Sequence, residues 1–239
     1  MAINNVRPGF SWNSADSYLF DIDGTLLNTR DPVHYFAFTN AVKDIFALEE
    51  KDAKIDGLPV HGNTDVGILR AVLRRAGIAD SEIDARMPRL IEQMCAEVQR
   101  NHQQIRPELC PSIEELVSGL HAQGKLLGAA SGNLEPIGWL KLEKAGLRHM
   151  FSFGAFSYPL EFRRDIFSHG IREAKKRLGE HAQVYVVGDT PSDIEAARAV
   201  NVPVIAVATG IYSFDDLLAL QPDACFGCGT DMLNSAAGN

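Results

Sequence analysis

Cysteine is scarce: the 239-residue chain has four, Cys95, Cys110, Cys225 and Cys228, too few for a disulfide scaffold. Cys225 and Cys228 form a CxxC pair, but no second pair of Cys or His at similar spacing accompanies it. Reduced thiols are therefore expected rather than a zinc knuckle. Long apolar runs are also missing. Leu126–Ala130 and Val184–Val187 fall far short of the roughly 20 residues that cross a bilayer, so no membrane partner is expected. The first 16 residues carry Asn4, Asn5, Arg7 and Asn13 where a signal peptide needs a continuous apolar stretch, which points to a cytoplasmic location. Positive charge is short as well. Twenty-three Lys and Arg against 31 Asp and Glu leave a net charge of -8, which disfavours binding to nucleic-acid phosphates.

What is present is a core. With 46% hydrophobic residues the chain can fold without staples, as one large domain or two small ones. Short β-rich runs, Tyr18–Ile22, Lys125–Ala130, Phe151–Phe156, Val184–Val187 and Pro203–Ala208, read as strands. Helical spacing lies between them, as in Ile113, Leu116, Val117 and Leu120, or Ile194, Ala197 and Val200. Such alternation predicts an α/β fold with a Rossmann-like parallel sheet covered on both faces.

One interval breaks the alternation. Asp23 and Ser131 are 108 positions apart, whereas a βαβ crossover needs only about 30 residues. The interval reads as helices, Pro32–Leu48, Thr64–Ala76 and Ser81–Val98, with Asp80 or Ser81 able to cap the last. The expected organisation is an α/β core from residues 1–29 and 106–239 and an inserted all-helical cap from residues 30–105. Hinges are expected near Asn28 to Arg30 and Ile105 to Pro107.

The strongest chemical signal is Phe20-Asp21-Ile22-Asp23-Gly24-Thr25-Leu26, where two carboxylates two residues apart end an apolar strand. In an extended strand both point the same way, and such a pair suggests a hard divalent metal or an acid/base couple. Turn chemistry explains an Asp before Gly but not the first Asp. A second acidic pair follows Val184–Val187 in Gly188-Asp189-Thr190-Pro191-Ser192-Asp193, with Pro191 suited to a first helical position. By itself this is equally a turn former and a helix-start acid. Leu126–Ala130 leads into Ser131-Gly132-Asn133, a hydroxyl and backbone amides that can approach an anion, or again simply a turn. All three motifs follow expected strands, where parallel sheets place their ligand crevice. The strands ending at Asp21 and Asp189 are accordingly expected to be neighbours.

In order and spacing these motifs resemble the haloacid dehalogenase (HAD) superfamily, in its phosphatase branch with a helical cap between the first two motifs. Asp21 to Thr25 matches the first motif, Ser131 to Asn133 the second, and Gly188-Asp189 with Asp193 the fourth. His61-Gly62-Asn63-Thr64-Asp65 resembles an element of phosphoglycolate-phosphatase-like caps. The third motif departs: Glu161 stands where many relatives carry Lys, in Glu161-Phe162-Arg163-Arg164-Asp165-Ile166-Phe167. Arg163 is the first choice for the charge-neutralising residue and Arg164 the second, with Lys125, Lys175 and Lys176 behind them.

The resemblance implies Mg2+-dependent hydrolysis of a small phosphorylated metabolite through an aspartyl-phosphate. Asp21 would be the nucleophile and Asp23 the acid and base. Asp21, the carbonyl of Asp23 and Asp189 would hold the metal, Asp193 would orient a ligand, and Arg163 would offset phosphoryl charge. Thr25, Ser131, Gly132, Asn133 and Arg164 are candidate substrate contacts. Of the cap candidates, His34, Tyr35, Phe38, His61 and Asn63, a core role is expected for His34 and the aromatic residues. A phosphomutase shares Asp21 and Asp23, and a non-catalytic phospho-ligand module or a receiver-like domain is the reading from another class. The intact acids and the cap argue against the last two. Dehalogenation has no need of Asp23, and a phosphonate hydrolase needs a cap lysine, for which Lys43, Lys51 and Lys54 offer no motif.

Overall fold

The computed structural model describes residues 3–29 and 32–237. In chain order its strands are β1 (Asn4–Val6), β2 (Ser17–Phe20), β3 (Leu27–Thr29), β4 (Pro107–Leu109), β5 (Leu126–Leu134), β6 (Phe153–Ser157), β7 (Val184–Gly188), β8 (Val204–Val207) and β9 (Ala224–Phe226). Four α-helices, α1 (Val33–Phe46), α2 (Glu50–Ala53), α3 (Asp65–Arg75) and α4 (Asp80–Arg100), fall between β3 and β4. The others are α5 (Ile113–Ala122), α6 (Glu135–Lys144), α7 (Arg163–Leu178), α8 (Pro191–Ala199), α9 (Phe214–Leu218) and α10 (Gly229–Ala237).

Seven strands form one sheet in the order β1-β9-β8-β7-β2-β5-β6. It is parallel except where β1 runs antiparallel to β9. β1 and β9, three residues each, were too short to read from apolar patterning. β2 lies between β5 and β7, and the chain extends the sheet first on one side and then on the other. The strand order therefore reverses at β2, where doubly wound sheets open a ligand crevice. Phe20 pairs with Val187 in register, and the Asp21 amide donates to the Val187 carbonyl at 2.9 Å, so Asp21 and Asp189 leave neighbouring strands as expected.

Period-two alternation divides the core. Tyr18 and Phe20 pack on one face with Leu127, Phe151 and Phe226. Leu19 packs on the other with Val186, Ile166 and Phe167. The helical segment has a third cluster, built on Phe38, Val42, Leu69, Leu73, Met87 and Leu90, which continues onto Leu134 and Ile137 beside the sheet. The antiparallel pair β3·β4 joins this segment to the sheet. Arg30, in the first hinge, lies outside the described residues.

Two local expectations are corrected. Ser131-Gly132-Asn133 does not follow β5 but lies inside it, because the pairing with β6 resumes after an irregularity, from Ser131↔Phe156 to Leu134↔Ser157. Such a bulge re-aims side chains without ending the strand. Nor does Asp80 or Ser81 cap α4. The cap position is Ala79, and the Asp80 carboxylate accepts from Arg74 Nε at 2.7 Å instead.

Candidate active site

Asp21 follows the last residue of β2 and is 3% exposed. Asp23 stands two residues on, at the start of a tight turn in which Gly24 adopts φ +87°. Glycine is required there twice over, by that left-handed backbone and because a Cβ would run into the Asp189 carboxylate. The next residue fixes the same group from the other side: Thr25 Oγ1 donates to Asp189 Oδ1 at 2.9 Å. Thr25 is buried and is not among the residues lining the cavity; its hydroxyl is held on Asp189. Asp193, at the third position of α8, closes a reciprocal cap with Thr190, whose hydroxyl donates to Asp193 Oδ2 at 2.6 Å.

Asp21, Asp189 and Asp193 present oxygens within 4.8 Å of one another. Burial, and then the charge of neighbouring aspartates, pushes the Asp189 carboxyl well above the usual range. Burial also raises Asp21, although Arg163 opposes the shift. Three buried like charges at this spacing need a cation. Arg163 supplies part of it, its guanidinium donating from Nη2 to Asp21 Oδ2 at 2.8 Å and standing 3.3 Å from Asp193 Oδ1 through Nη1. Asp21 Oδ1 and Asp193 Oδ1 remain buried without a hydrogen bond. An all-oxygen set with orphaned carboxylate atoms fits a hard divalent ion such as Mg2+.

Of the paired arginines only Arg163 faces this cluster. Arg164 has a 63% exposed side chain, lies over the Phe162 ring, stands 3.8 Å from Asp165 and is not among the residues lining the cavity. Glu161 is also accounted for. Its carboxylate pairs with Arg70 of α3 at 2.8 Å, tying the loop before α7 to the helical segment.

Asp23 has a different environment. Lys141 Nζ lies 2.8 and 2.7 Å from its two oxygens, and Asn133 Nδ2 donates to Oδ2 at 2.7 Å. Burial alone would raise this carboxyl, but Lys141, with Asn133, holds it below the usual carboxylate range. The side chain is 40% exposed, and that exposure is to the cavity it lines. Lys141 also donates to Asn133 Oδ1 at 2.8 Å and stands 3.2 Å from His34 Nδ1. His34 Nε2 in turn lies 3.2 Å from Asp65 Oδ2. The imidazole thus stands between the Lys141 ammonium on one side and the Asp65 carboxylate on the other. The core role expected for His34 is thus replaced by a polar one at the cavity wall.

The cavity, about 390 Å³, lies between the sheet edge and the helical segment. Asp21, Asp23, Ser131, Gly132, Asn133, Arg163 and Asp189 line it from below, and His34, Tyr35, Phe38, His61 and Asn63 from above. Gly132 has a steric duty besides any amide contact: a Cβ there would meet the backbone of Asn63 and Thr64. The 61–65 loop is seated by three bonds. Thr64 Oγ1 donates to the Glu161 carbonyl at 2.6 Å, Arg163 Nε to the Gly62 carbonyl at 3.4 Å, and the Leu134 amide to Asp65 Oδ2 at 2.7 Å.

Lys141 lines the cavity and pairs with Asp23, a placement that motif reading missed. Its signal was a lysine on the inward face of α6, four residues after Ile137 and beside Leu142, and it is 2% exposed. A lysine there must be paired.

Residues 18–207 match the family described as haloacid dehalogenase-like hydrolase. A phosphoglycolate phosphatase of Synechococcus elongatus is 28% identical over 91% of this chain and 95% of its own length. One from Agrobacterium fabrum is 30% identical over 86% and 85%. Among solved structures, that of a predicted phosphoglycolate phosphatase from Haemophilus somnus superposes with TM-score 0.65 and 21% identity, covering 95% of this chain and all of that one.

Proposed function

Because this chain belongs to the haloacid dehalogenase-like hydrolase family and is a phosphatase, we propose that it hydrolyses a small phosphate monoester by Mg2+-dependent transfer to Asp21. The observation that carries this reading is the asymmetry of one carboxylate. Asp21 lines the cavity with one oxygen held by Arg163 and the other without a hydrogen bond. Asp21, the carbonyl of Asp23 and Asp189 would hold the metal, and Asp193 would orient the set. When bound, Mg2+ neutralises charge on the phosphoryl oxygens.

Asp21 attacks phosphorus and the bond to the ester oxygen breaks; Asp23, ionised at rest beside Lys141, takes the proton that the phosphate monoanion carries in and relays it to the departing alcohol. Asp23 then takes a proton from the water that cleaves the aspartyl-phosphate, returning Asp21 to a carboxylate. Lys141 favours the charged form of Asp23, and Asn133 fixes its orientation. Arg163 offsets the charge that builds on the transferring group, while Ser131 and the Gly132 amide, which line the same cavity, would hold its oxygens. The helical segment 30–105 acts as a cap that excludes water from the intermediate and faces the leaving group.

The relatives make phosphoglycolate the first ester to test. Phosphate release with Mg2+ is expected, abolished reversibly by a chelator. Asp21→Asn preserves shape and removes the attacking anion, so turnover should fall by about 10⁴-fold or more with circular dichroism unchanged. Substantial turnover by that variant would overturn the mechanism.

A further inference from the structure

The cation nearest the leaving-group side of the cavity is Lys141, and what it touches divides into two kinds. Asp23 and Asn133 belong to the same sheet edge, whereas His34 belongs to α1 across the cavity. The His34 contact is also the longest at 3.2 Å and the only one of the three made to a ring nitrogen held by the helical segment. An ammonium has three protons, so an incoming anion must displace one acceptor. The acceptor on the opposite wall, with the longest contact, is the one that gives way.

We propose that Lys141 is a specificity-determining residue that binds an anionic group, a carboxylate by size, on the leaving alcohol, at the place His34 Nδ1 now holds. The proposal rests on the phosphatase reading, because that reading puts the ester oxygen against Asp23. From there the ammonium is two hydrogen-bond steps away, about 5 Å. A carboxylate one carbon beyond the ester oxygen spans that gap. A neutral alcohol of the same length leaves Lys141 on His34 and gains nothing. Asp65, accepting at once from the Leu134 amide and standing beside His34 Nε2, holds the imidazole in the orientation that makes Nδ1 the acceptor. Among the described residues the other cation in the cavity wall, Arg163, is committed to Asp21 and Asp193 on the metal side.

The test compares phosphoglycolate with ethyl phosphate, which keeps the two-carbon length and lacks the carboxylate. Wild-type protein should favour phosphoglycolate in kcat/KM by about 30-fold or more. Lys141→Gln should erase most of that preference, and Lys141→Arg should keep part of it, with folding checked by circular dichroism. A wild-type protein that does not distinguish the two esters overturns the proposal whether or not the variants fold. So does a Lys141→Gln variant that loses equally on both, which would make Lys141 a positioning residue for Asp23 only. Calorimetric binding of the same two esters to Asp21→Asn, with and without Lys141→Gln, separates this proposal from the catalytic one. Lys141-dependent preference in binding without any wild-type turnover would refute the phosphatase mechanism and support the carboxylate site. No preference in binding would refute the site even in an active enzyme.

Discussion

The sheet edge and the helical segment hold their polar residues by different means. At the sheet edge, Asp21, Asp23 and Asp189 come from the ends of two hydrogen-bonded strands, and Arg163 from the first position of α7. Their spacing is set by strand register, which cannot drift by less than a residue. The helical segment instead reaches the cavity through single side chains and a loop, seated by a few bonds to the Glu161 carbonyl, the Leu134 amide and Arg163. Its apolar cluster is largely its own. On the proposed reading, groups fixed by the sheet would do the chemistry, and groups presented by the helices would be the ones open to change residue by residue. That division is how one fold serves many phosphate esters.

The sharpest way to break the comparison is at the two arginines, which are adjacent in sequence and opposite in situation. Arg163→Ala removes a buried charge-assisted contact and leaves Asp21 and Asp193 facing each other uncompensated. A loss of about 2–4 kcal/mol in transition-state stabilisation is expected, roughly 30- to 1,000-fold in kcat/KM. Arg164→Ala touches only an exposed ring and an exposed acid and should change activity and stability by less than about 0.5 kcal/mol. Steady-state kinetics of the two variants decide this. A crippling Arg164→Ala with a silent Arg163→Ala would mean that the wrong residue faces the phosphoryl group.

Much of the sheet edge was legible because its signals are local. A carboxylate pair at the end of an apolar run, a glycine turn and a proline at a helix start each follow from short-range backbone chemistry, and they fell at strand ends that the topology brings together. The 108-position gap announced the helical segment without any family knowledge. What stayed hidden depended on tertiary partners. Ser131-Gly132-Asn133 read as a turn because nothing local says that β6 continues to pair with it. Thr25 read as a substrate contact because its acceptor, Asp189, lies 164 positions away. Lys141 carried only the weak signal of a charge on an inward helix face, and its partners come from β5, the turn after β2 and α1. His34 looked like core for the same reason.

A second test asks whether the sheet edge is strained by its own charge. Burial and neighbouring aspartates push Asp189 up to about 8, and burial pushes Asp21 up to about 7. A carboxyl with a raised folded-state pKa binds its proton more tightly when folded. The stabilising contribution is therefore fully present only below the ordinary carboxyl value of 3.8 and is lost as pH rises from there through the shifted values. In chelator, Tm should fall between about pH 4 and pH 8, and Mg2+ should restore about 5 °C at the upper end and little at the lower. The slope should shrink in Asp189→Asn, which removes one of the titrating acids. A metal-free Tm that does not depend on pH across this window, or an equal Mg2+ effect at both ends, would show that the acids are balanced without a metal.

The smallest expected effect lies at the seam, and it separates seating from folding in the helical segment. Thr64 Oγ1 accepts from the Gly67 amide at 3.0 Å, capping α3, and donates to the Glu161 carbonyl at 2.6 Å, so one hydroxyl serves both the helix and the closed arrangement. Thr64→Ser keeps both bonds and should be near neutral. Thr64→Val keeps the volume and removes both, at a cost of about 1–2 kcal/mol in stability. Because the hydroxyl touches neither Asp21 nor Asp23, its loss should raise KM more than it lowers kcat, and the excess should be shared by carboxylate and neutral esters alike. Thermal melts and kinetics on both esters distinguish the two duties. A stability loss with unchanged KM would confine Thr64 to capping α3. A fall in kcat alone would mean that the 61–65 loop acts on the reacting atoms and not only on the seat above them.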